Sequence, residues 1–445
     1  MSQNASRAIG YFELLKANRN FRRLWIGRVI SQTGDWFNSV ALFTLLLRLN
    51  GTGEAVGLIL IIKLLPSFFG GPIAGVVADR FNRKTTMIVT DILRGLVVLG
   101  FLFIRRPEQV WIAYVLIFAE AMLSTFFEPA ESAAVPTIVS REQLISANAL
   151  SGATWSVTLA LGAALGGFVT DSFGLNTAFI IDSISFFISA AYIAAVRIPP
   201  LERARAEKEK LSVADATGVT DFIEGAKYLK ANPRVTALLL VKSGWGVGGG
   251  VLLLLTIFGK QIFPIGRDGS TSIGLLYAAR GFGALIGPLI PRRITSNSPR
   301  TMRRTITVAF FVSAIFYLLL AQSSSLAVAM LCVIGAHAGG STQWVFSTTL
   351  LQMTVPNRFL GRVVALELGM VTLTMSVSTY FTGWGFDRAG LSARTLAIIL
   401  GIAFMIPGVI WLSIQSWLDK SDESSDEPPS IINTEPVAET SFPPA

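Results

Sequence analysis

The feature that most constrains this chain is the recurrence of unbroken apolar runs about twenty residues long. They fall near 24–47, 55–78, 86–104, 110–130, 149–170, 176–196, 235–257, 273–290, 305–321, 326–347, 364–384 and 395–417. A bilayer core of roughly 30 Å takes about 20 helical residues, so each run is long enough to span it. Within lipid only helices or closed barrels satisfy their own backbone, and barrel strands alternate polar and apolar residues where these runs do not. Composition agrees, with 52% hydrophobic and only 15% charged residues among 445. Soluble domains carry about a quarter charged residues. The runs predict an all-α membrane protein with twelve transmembrane helices.

The charges then orient the chain. A formal net charge of +9 would suit a nucleic-acid binder if the cations shared a solvated face. Instead they sit in the loops between apolar runs. With the N-terminus inside, 25 of the 37 lysines and arginines lie on the cytoplasmic side, 7 on the other, and 5 within spans. By the positive-inside bias both termini are expected in the cytoplasm of a multi-pass protein of the cytoplasmic (inner) membrane, with no nucleic-acid partner. Residues 1–20 have no apolar core, so no cleavable signal peptide is expected.

One cysteine and one histidine exclude an intrachain disulfide framework, a Cys/His zinc cluster and any mechanism needing two histidines. Only carboxylate chemistry would remain to an enzyme, and no acid pair is positioned by spacing. The chain is read as not an enzyme, with no cofactor and no metal. Two glycine-rich stretches, Gly244 to Gly250 and Gly281-Phe-Gly283-Ala-Leu-Ile-Gly287, look like nucleotide loops by eye but lie in apolar runs with no preceding strand. No Gly-x-x-x-x-Gly-Lys-Ser/Thr occurs, so no ATP site is expected and a gradient must supply the energy.

The segment between the sixth and seventh runs opens with Pro199-Pro200 and a dense charge run. It continues into an expected amphipathic helix at 219–231 with Phe222, Ala226 and Leu229 on one face. The expected organisation is a cytoplasmic N-terminal segment 1–23, a six-helix bundle 24–196, a cytoplasmic linker 197–234, a second bundle 235–417, and a disordered acidic tail 418–445. A weak repeat supports two matched bundles. Gly71-Pro72 recurs as Gly287-Pro288, and Gly167, Asp171 and Gly174 recur as Gly383, Asp387 and Gly390, all at an offset of 216.

Gly75-Val-Val-Ala-Asp79-Arg80-Phe-Asn-Arg83-Lys84 follows the second run and resembles the signature loop of the major facilitator superfamily. Physically, an acid at a helix end followed by cations makes a charged latch. The resemblance implies that Asp79 and Arg83 clamp the two halves on the cytoplasmic side; otherwise these residues are only positive-inside anchors. The loop from Gly287 to Arg304 keeps cations but not the aspartate. Asn20-Phe-Arg-Arg-Leu-Trp25, Gln32-Thr-Gly-Asp35-Trp36, Ala147-Asn-Ala-Leu150, Glu224-Gly225-Ala-Lys-Tyr-Leu and Gly361-Arg362-Val363 are similar to the subgroup containing macrolide-efflux and enterobactin-exporter proteins. Antiporter relatives often carry Gly-Pro in the fifth helix. Here Gly162-Ala-Ala-Leu-Gly166-Gly167 has no proline, though small residues at that spacing permit close helix packing.

Ionisable groups inside spans cost at least ~2.5–3.5 kcal/mol on insertion scales, so each is a functional candidate. Asp35 and Glu120 lie near the middle of the first and fourth runs. A carboxylate facing an apolar cavity suits proton exchange near neutral pH; the bland reading is a fixed salt bridge. Asp182 and His337 are further proton-coupling candidates, each with the alternative of a packing or helix-orienting role. Lys63, Arg94, Lys242 and Arg280 supply opposite charges, and Arg28 lies one heptad before Asp35 on its face. Glu128, Glu131 and Glu367 are expected to be solvated near the cytoplasmic ends. Trp36, Phe37, Trp155, Phe186, Trp245 and Trp344 are candidates for lining a cavity, or for packing and facing lipid.

The expected function is a secondary transporter that exports a hydrophobic or amphipathic small molecule, drug-like as a macrolide is, by alternating access in exchange for protons. Its partners would be that substrate, protons and membrane lipid. Two readings stay open beside it: a siderophore exporter, and a lipid-handling or sensor protein without coupled transport.

Overall fold

The computed structural model describes residues 10–49, 58–59, 61–63, 65–66, 70–71, 73–74, 77, 81–199, 219–294 and 298–423. Among the described residues all regular structure is helical. A short helix α1 (Tyr11–Ala17) leads into α2 (Arg19–Leu49), then α3 (Arg83–Leu99), α4 (Val110–Ile138), α5 (Arg141–Phe173) and α6 (Leu175–Ala194). The second half of the chain comprises α7 (Val219–Ala231), α8 (Pro233–Gly246), α9 (Val251–Ile257), α10 (Ser270–Ile286), α11 (Leu289–Ile294), α12 (Pro299–Ala321), α13 (Leu326–Thr354), α14 (Asn357–Asp387) and α15 (Ala393–Glu423).

Ten helical stretches among the described residues are long and apolar enough to cross a membrane. The 31-residue α2 occupies the first expected run. Half of the second, 55–78, lies outside the described residues, as do Gly75, Asp79 and Arg80 of the signature loop. Helix starts follow local capping chemistry. Asn82 accepts from the Thr85 amide at 3.2 Å to begin α3, Ser140 and Gln143 form a capping box on α5, and Asn18 accepts from the Phe21 amide at 2.9 Å to begin α2.

Small residues set the closest helix approaches. A Cβ built on Gly166 would lie 2.8 Å from Phe37 Cα of α2, and one on Gly167 would lie 3.0 Å from Gly274 Cα of α10. Gly162 similarly meets Thr33 and Trp36 of α2. All three α5 glycines thus sit at close helix approaches, and Gly167 makes one across the two halves of the chain.

Four expectations need correction. The run at 235–257 does lie in one stretch long and apolar enough to cross a membrane, Pro233–Ile262, but its helix is not continuous, since residues 247–250 turn between α8 and α9. Ser378 Oγ holds the turn, donating to the Val247 carbonyl at 2.5 Å and accepting from the Gly250 amide at 3.0 Å. The inward face of α7 carries Gly225, Tyr228 and Leu229, with Ala226 exposed; the face turns toward α14 because Gly225 packs on Arg362 and Leu366 and Tyr228 stacks on Phe359 at 4.3 Å. Phe222 lies outside the residues whose side chains are described.

Neither boundary with the expected terminal segments holds. Residues 19–23 already belong to α2. At the other end α15 continues past 417 to Glu423, because Asp419 is drawn into the bundle by Arg303 of α12. Its Oδ1 accepts from Arg303 Nε at 3.0 Å and Nη2 at 2.7 Å. Arg300 and Arg304 approach Oδ2 at 3.5 and 3.9 Å. The acid that the second signature-like loop lacks is supplied by the last helix.

Candidate functional site

Arg94, one turn from the middle of α3, gathers acids from two neighbouring helices and its own. Its Nη2 donates to Asp35 Oδ1 of α2 at 2.8 Å and lies 3.9 Å from Glu120 Oε1 of α4. Its Nη1 lies 3.7 Å from Asp91 Oδ1 on the preceding turn. Below the guanidinium, the Phe186 ring of α6 stands at 4.1 Å. Glu120 also accepts from Asn38 at 3.3 Å, and Lys63 donates to Ser39 Oγ at 3.3 Å on the same face of α2. Asp182 of α6 is fully buried, and Oδ1 lies where a side chain on Gly34 would stand. Gly34 therefore lets this acid reach α2.

This arrangement redraws the expected pairings. Arg28 does not serve Asp35; it faces α4, 3.5 Å from Glu131 and 3.7 Å from Glu128. Seven residues along a helix amount to roughly 10 Å of rise, too far for a contact. Glu131 is accordingly not solvated, with its side chain 18% exposed, while Glu128 is. Glu367 was also expected in solvent. Instead it is 1% exposed and accepts from Lys242 Nζ at 2.6 Å, because α14 and α8 bring the pair together under Trp344, whose ring lies 4.5 Å from the ammonium. Phe186 is fully buried and packs against Arg94.

Asp91 was missed in the sequence, although the signal was available. An aspartate three residues before an arginine inside an apolar run is an i, i+3 pair that membrane insertion demands.

The second half presents a different chemistry. A narrow crevice of about 10 Å³ is lined by Gly248 and Gly249 of the broken helix, Trp245, Arg280, Tyr317, His337 and Phe404 among others. His337 Nε2 and Tyr317 Oη are 3.1 Å apart, a buried hydrogen bond that gives the lone histidine a packing partner. Trp245 and Trp344 meet edge to face at 5.4 Å. Arg280 is 8% exposed, and its guanidinium makes no ion pair or hydrogen bond among the described residues. Its nearest ring is Trp155 of α5, at 5.7 Å. Trp36 joins this group, 6.3 Å from Trp155 and 6.5 Å from Tyr277. Phe37 is buried, its backbone against Gly166.

The halves are tied to one another at the end where α5 finishes and α10 begins. Asp171 Oδ1 accepts from the Arg267 amide at 2.5 Å, and Oδ2 from Thr271 Oγ1 at 3.2 Å. Lys260 Nζ donates to the Leu47 carbonyl at 2.6 Å. Toward the opposite end of α5, Gly152 is exposed with nothing near its Cβ position. In the signature loop Arg83 donates to the Ala133 carbonyl at 3.0 Å and Lys84 to the Ala194 carbonyl at 2.6 Å, contacts within the first half that satisfy carbonyls near helix ends.

Residues 24–366 match the pattern of the Major Facilitator Superfamily. An uncharacterised transporter of that type from Bacillus subtilis, YkuC, is 30% identical over 286 residues, 63% of this chain and 66% of its own length. Macrolide efflux protein A of Streptococcus pyogenes is 25% identical over 87% of this chain and 95% of its own. A putative bacilysin exporter, BacE, of Bacillus subtilis is 25% identical over 81% and 87%. Among solved structures, the nucleoside transporter NupG superposes with a TM-score of 0.69 at 11% identity, covering 88% of this chain and 99% of that one. A bacterial homologue of the lysosomal transporter Spinster gives 0.67 at 14%, covering 92% and 99%. With an all-helical fold of this kind and a match across most of its length, the chain belongs to the major facilitator superfamily, a multi-pass membrane secondary transporter and not an enzyme.

Proposed function

We propose that the protein exports a hydrophobic or amphipathic small molecule across the cytoplasmic membrane in exchange for protons, with both termini in the cytoplasm. The observation that carries the reading is the acid excess around Arg94. Asp35, Asp91, Glu120 and Asp182 converge where the cations within reach, among the described residues, are Arg94, Lys63 and, farther off, Arg28, which is already paired with Glu131. In a low-dielectric site, carboxyl groups that outnumber their cations hold exchangeable protons, because a bare buried carboxylate is too costly. Asp35 is the member best placed to release one: its side chain is 28% exposed, while Arg94 is 3%. Protonating it frees Arg94 to turn toward Glu120 or Asp91, so proton occupancy biases how α2, α3 and α4 sit together.

Efflux is favoured over uptake by the similarity to the macrolide and bacilysin exporters, and orientation by the excess of cations on the linker side. On that orientation the Asp171 latch closes the outer end. Rocking of the halves about the α5–α10 contact would open it.

The test is export from reconstituted vesicles. Cells expressing the protein are first screened with a compound panel, with and without an uncoupler, and the best substrate is carried into vesicles with an imposed pH gradient. Asp35→Asn and Glu120→Gln are each expected to cut gradient-driven export at least tenfold while substrate exchange without a gradient persists. Unchanged gradient-driven export in both variants would refute the coupling assignment.

A further inference from the structure

Among the described cations within the spans, Arg28, Lys63, Arg94 and Lys242 each have an acid or a hydroxyl oxygen as partner. Arg280 has neither. Its side chain is more than nine-tenths buried, lines the second-half crevice, and its Nε lacks any acceptor among the described residues. The second-half acids nearest in kind are committed elsewhere, Glu367 to Lys242 and Asp419 to Arg303. A second donor, linked to Arg280 through Trp155, is also unsatisfied: the Trp36 indole Nε1 is buried without a partner among the described residues, and Trp36 packs on the same Trp155 that faces Arg280. Tyr317 does not compensate the cation, since its hydroxyl is shared with His337.

Two buried donors and no acceptor call for an acceptor-rich group from outside the chain. Resting on the exporter reading above, we propose that Arg280 is the anion-binding residue of the transport site and that the molecule carried is an amphipathic acid whose carboxylate seats on this guanidinium. A carboxylate matches the planar fork in bidentate fashion, the strongest form of such a contact. The rings of Trp155, Trp36 and Tyr277 then offer apolar faces for the body of the molecule. Because Trp155 belongs to the first half and Arg280 to the second, an anion between them bridges the gap that alternating access opens and closes. The crevice on the other side of Arg280 is lined by second-half residues alone and has about 10 Å³, room for a water at most, so the carboxylate seats instead between Arg280 and Trp155 of the first half. Among amphipathic molecules this selects acids over purely basic ones.

The test uses the purified full chain in detergent, with no gradient, and dansylglycine as probe against its neutral amide, dansylglycinamide. Wild type is expected to bind the acid at least tenfold tighter than the amide by fluorescence titration. Arg280→Gln brings acid affinity down to that of the amide, leaves amide binding unchanged, and melts no lower than wild type because no partner is stranded. Should the glutamine variant not fold, Arg280→Lys serves, with acid affinity expected to fall several-fold and amide affinity unchanged. Equal affinity for acid and amide, no saturable binding of either, or an acid preference that survives substitution overturns the proposal. Since this measurement involves no proton gradient, its failure is separate from failure of Asp35 and Glu120 to couple export.

Discussion

The two halves of the molecule bury charge in opposite ways. Around Arg94 acids outnumber cations and every contact of the guanidinium is made inside the protein, to Asp35, Asp91, Glu120 and the face of Phe186. Around Arg280 there is a cation with no counter-charge, walled by tyrosine, tryptophan and a histidine already bonded to Tyr317. A buried ion whose partner is removed costs several kcal/mol, so the first arrangement is a structural necessity, which on the proposed function also carries protons. The second is stability forgone, which a transporter tolerates where a ligand completes the site.

The largest expected effect separates these two arginines. Arg94→Gln strands three carboxyls and should cost ~3–5 kcal/mol, seen as a large drop in melting temperature or loss of folded protein in detergent. Arg280→Gln in the same assay should cost nothing. Equal losses would erase the distinction between the halves.

Next comes the Lys242–Glu367 pair, the second half's own closed ion pair. Lys242→Met alone should destabilise by ~3 kcal/mol because Glu367 is left buried, while the double variant Lys242→Met with Glu367→Gln should return to within ~1 kcal/mol of wild type. Additive losses in this cycle would show that the pair is not energetically coupled.

The smallest effect concerns the seam between halves. Asp171→Ala removes acceptors for the Arg267 amide and Thr271 hydroxyl, contacts worth roughly 1–3 kcal/mol together. Stability should fall by no more than that, and the equilibrium should shift from the closed state of this end, read as faster labelling of a cysteine placed at the buried Ser270. Unchanged labelling would mean the latch does not hold the closed state.

How far the site was legible depended on whether a residue's role is set by its own helix or by a neighbour's. Asp35, Glu120 and Arg94 stand out because a charge in an apolar run has few explanations, whatever it touches. The α5 glycines are legible for the same reason, since small residues in a span mark close approach. Partner choice was not legible. Arg28 and Asp35 share a helix face in sequence, yet Arg28 turns to Glu131 and Asp35 to Arg94. Asp419 read as the start of a tail until Arg303 drew it into α12's surface. The Arg280 site is the extreme case, because what marks it is a missing partner, and absence has no one-dimensional signature.

The sequence by itself determined that this chain lives in a bilayer, that its backbone is helical, and which few charged groups are costly enough to matter. Those follow from length, continuity and charge of local segments, quantities a single helix already possesses. Which acid meets which cation, where the halves touch, and which arginine is left waiting were decided only by tertiary structure. Each depends on distances of a few ångströms between segments separated by tens to hundreds of residues, such as Arg94 with Asp35 and Lys242 with Glu367.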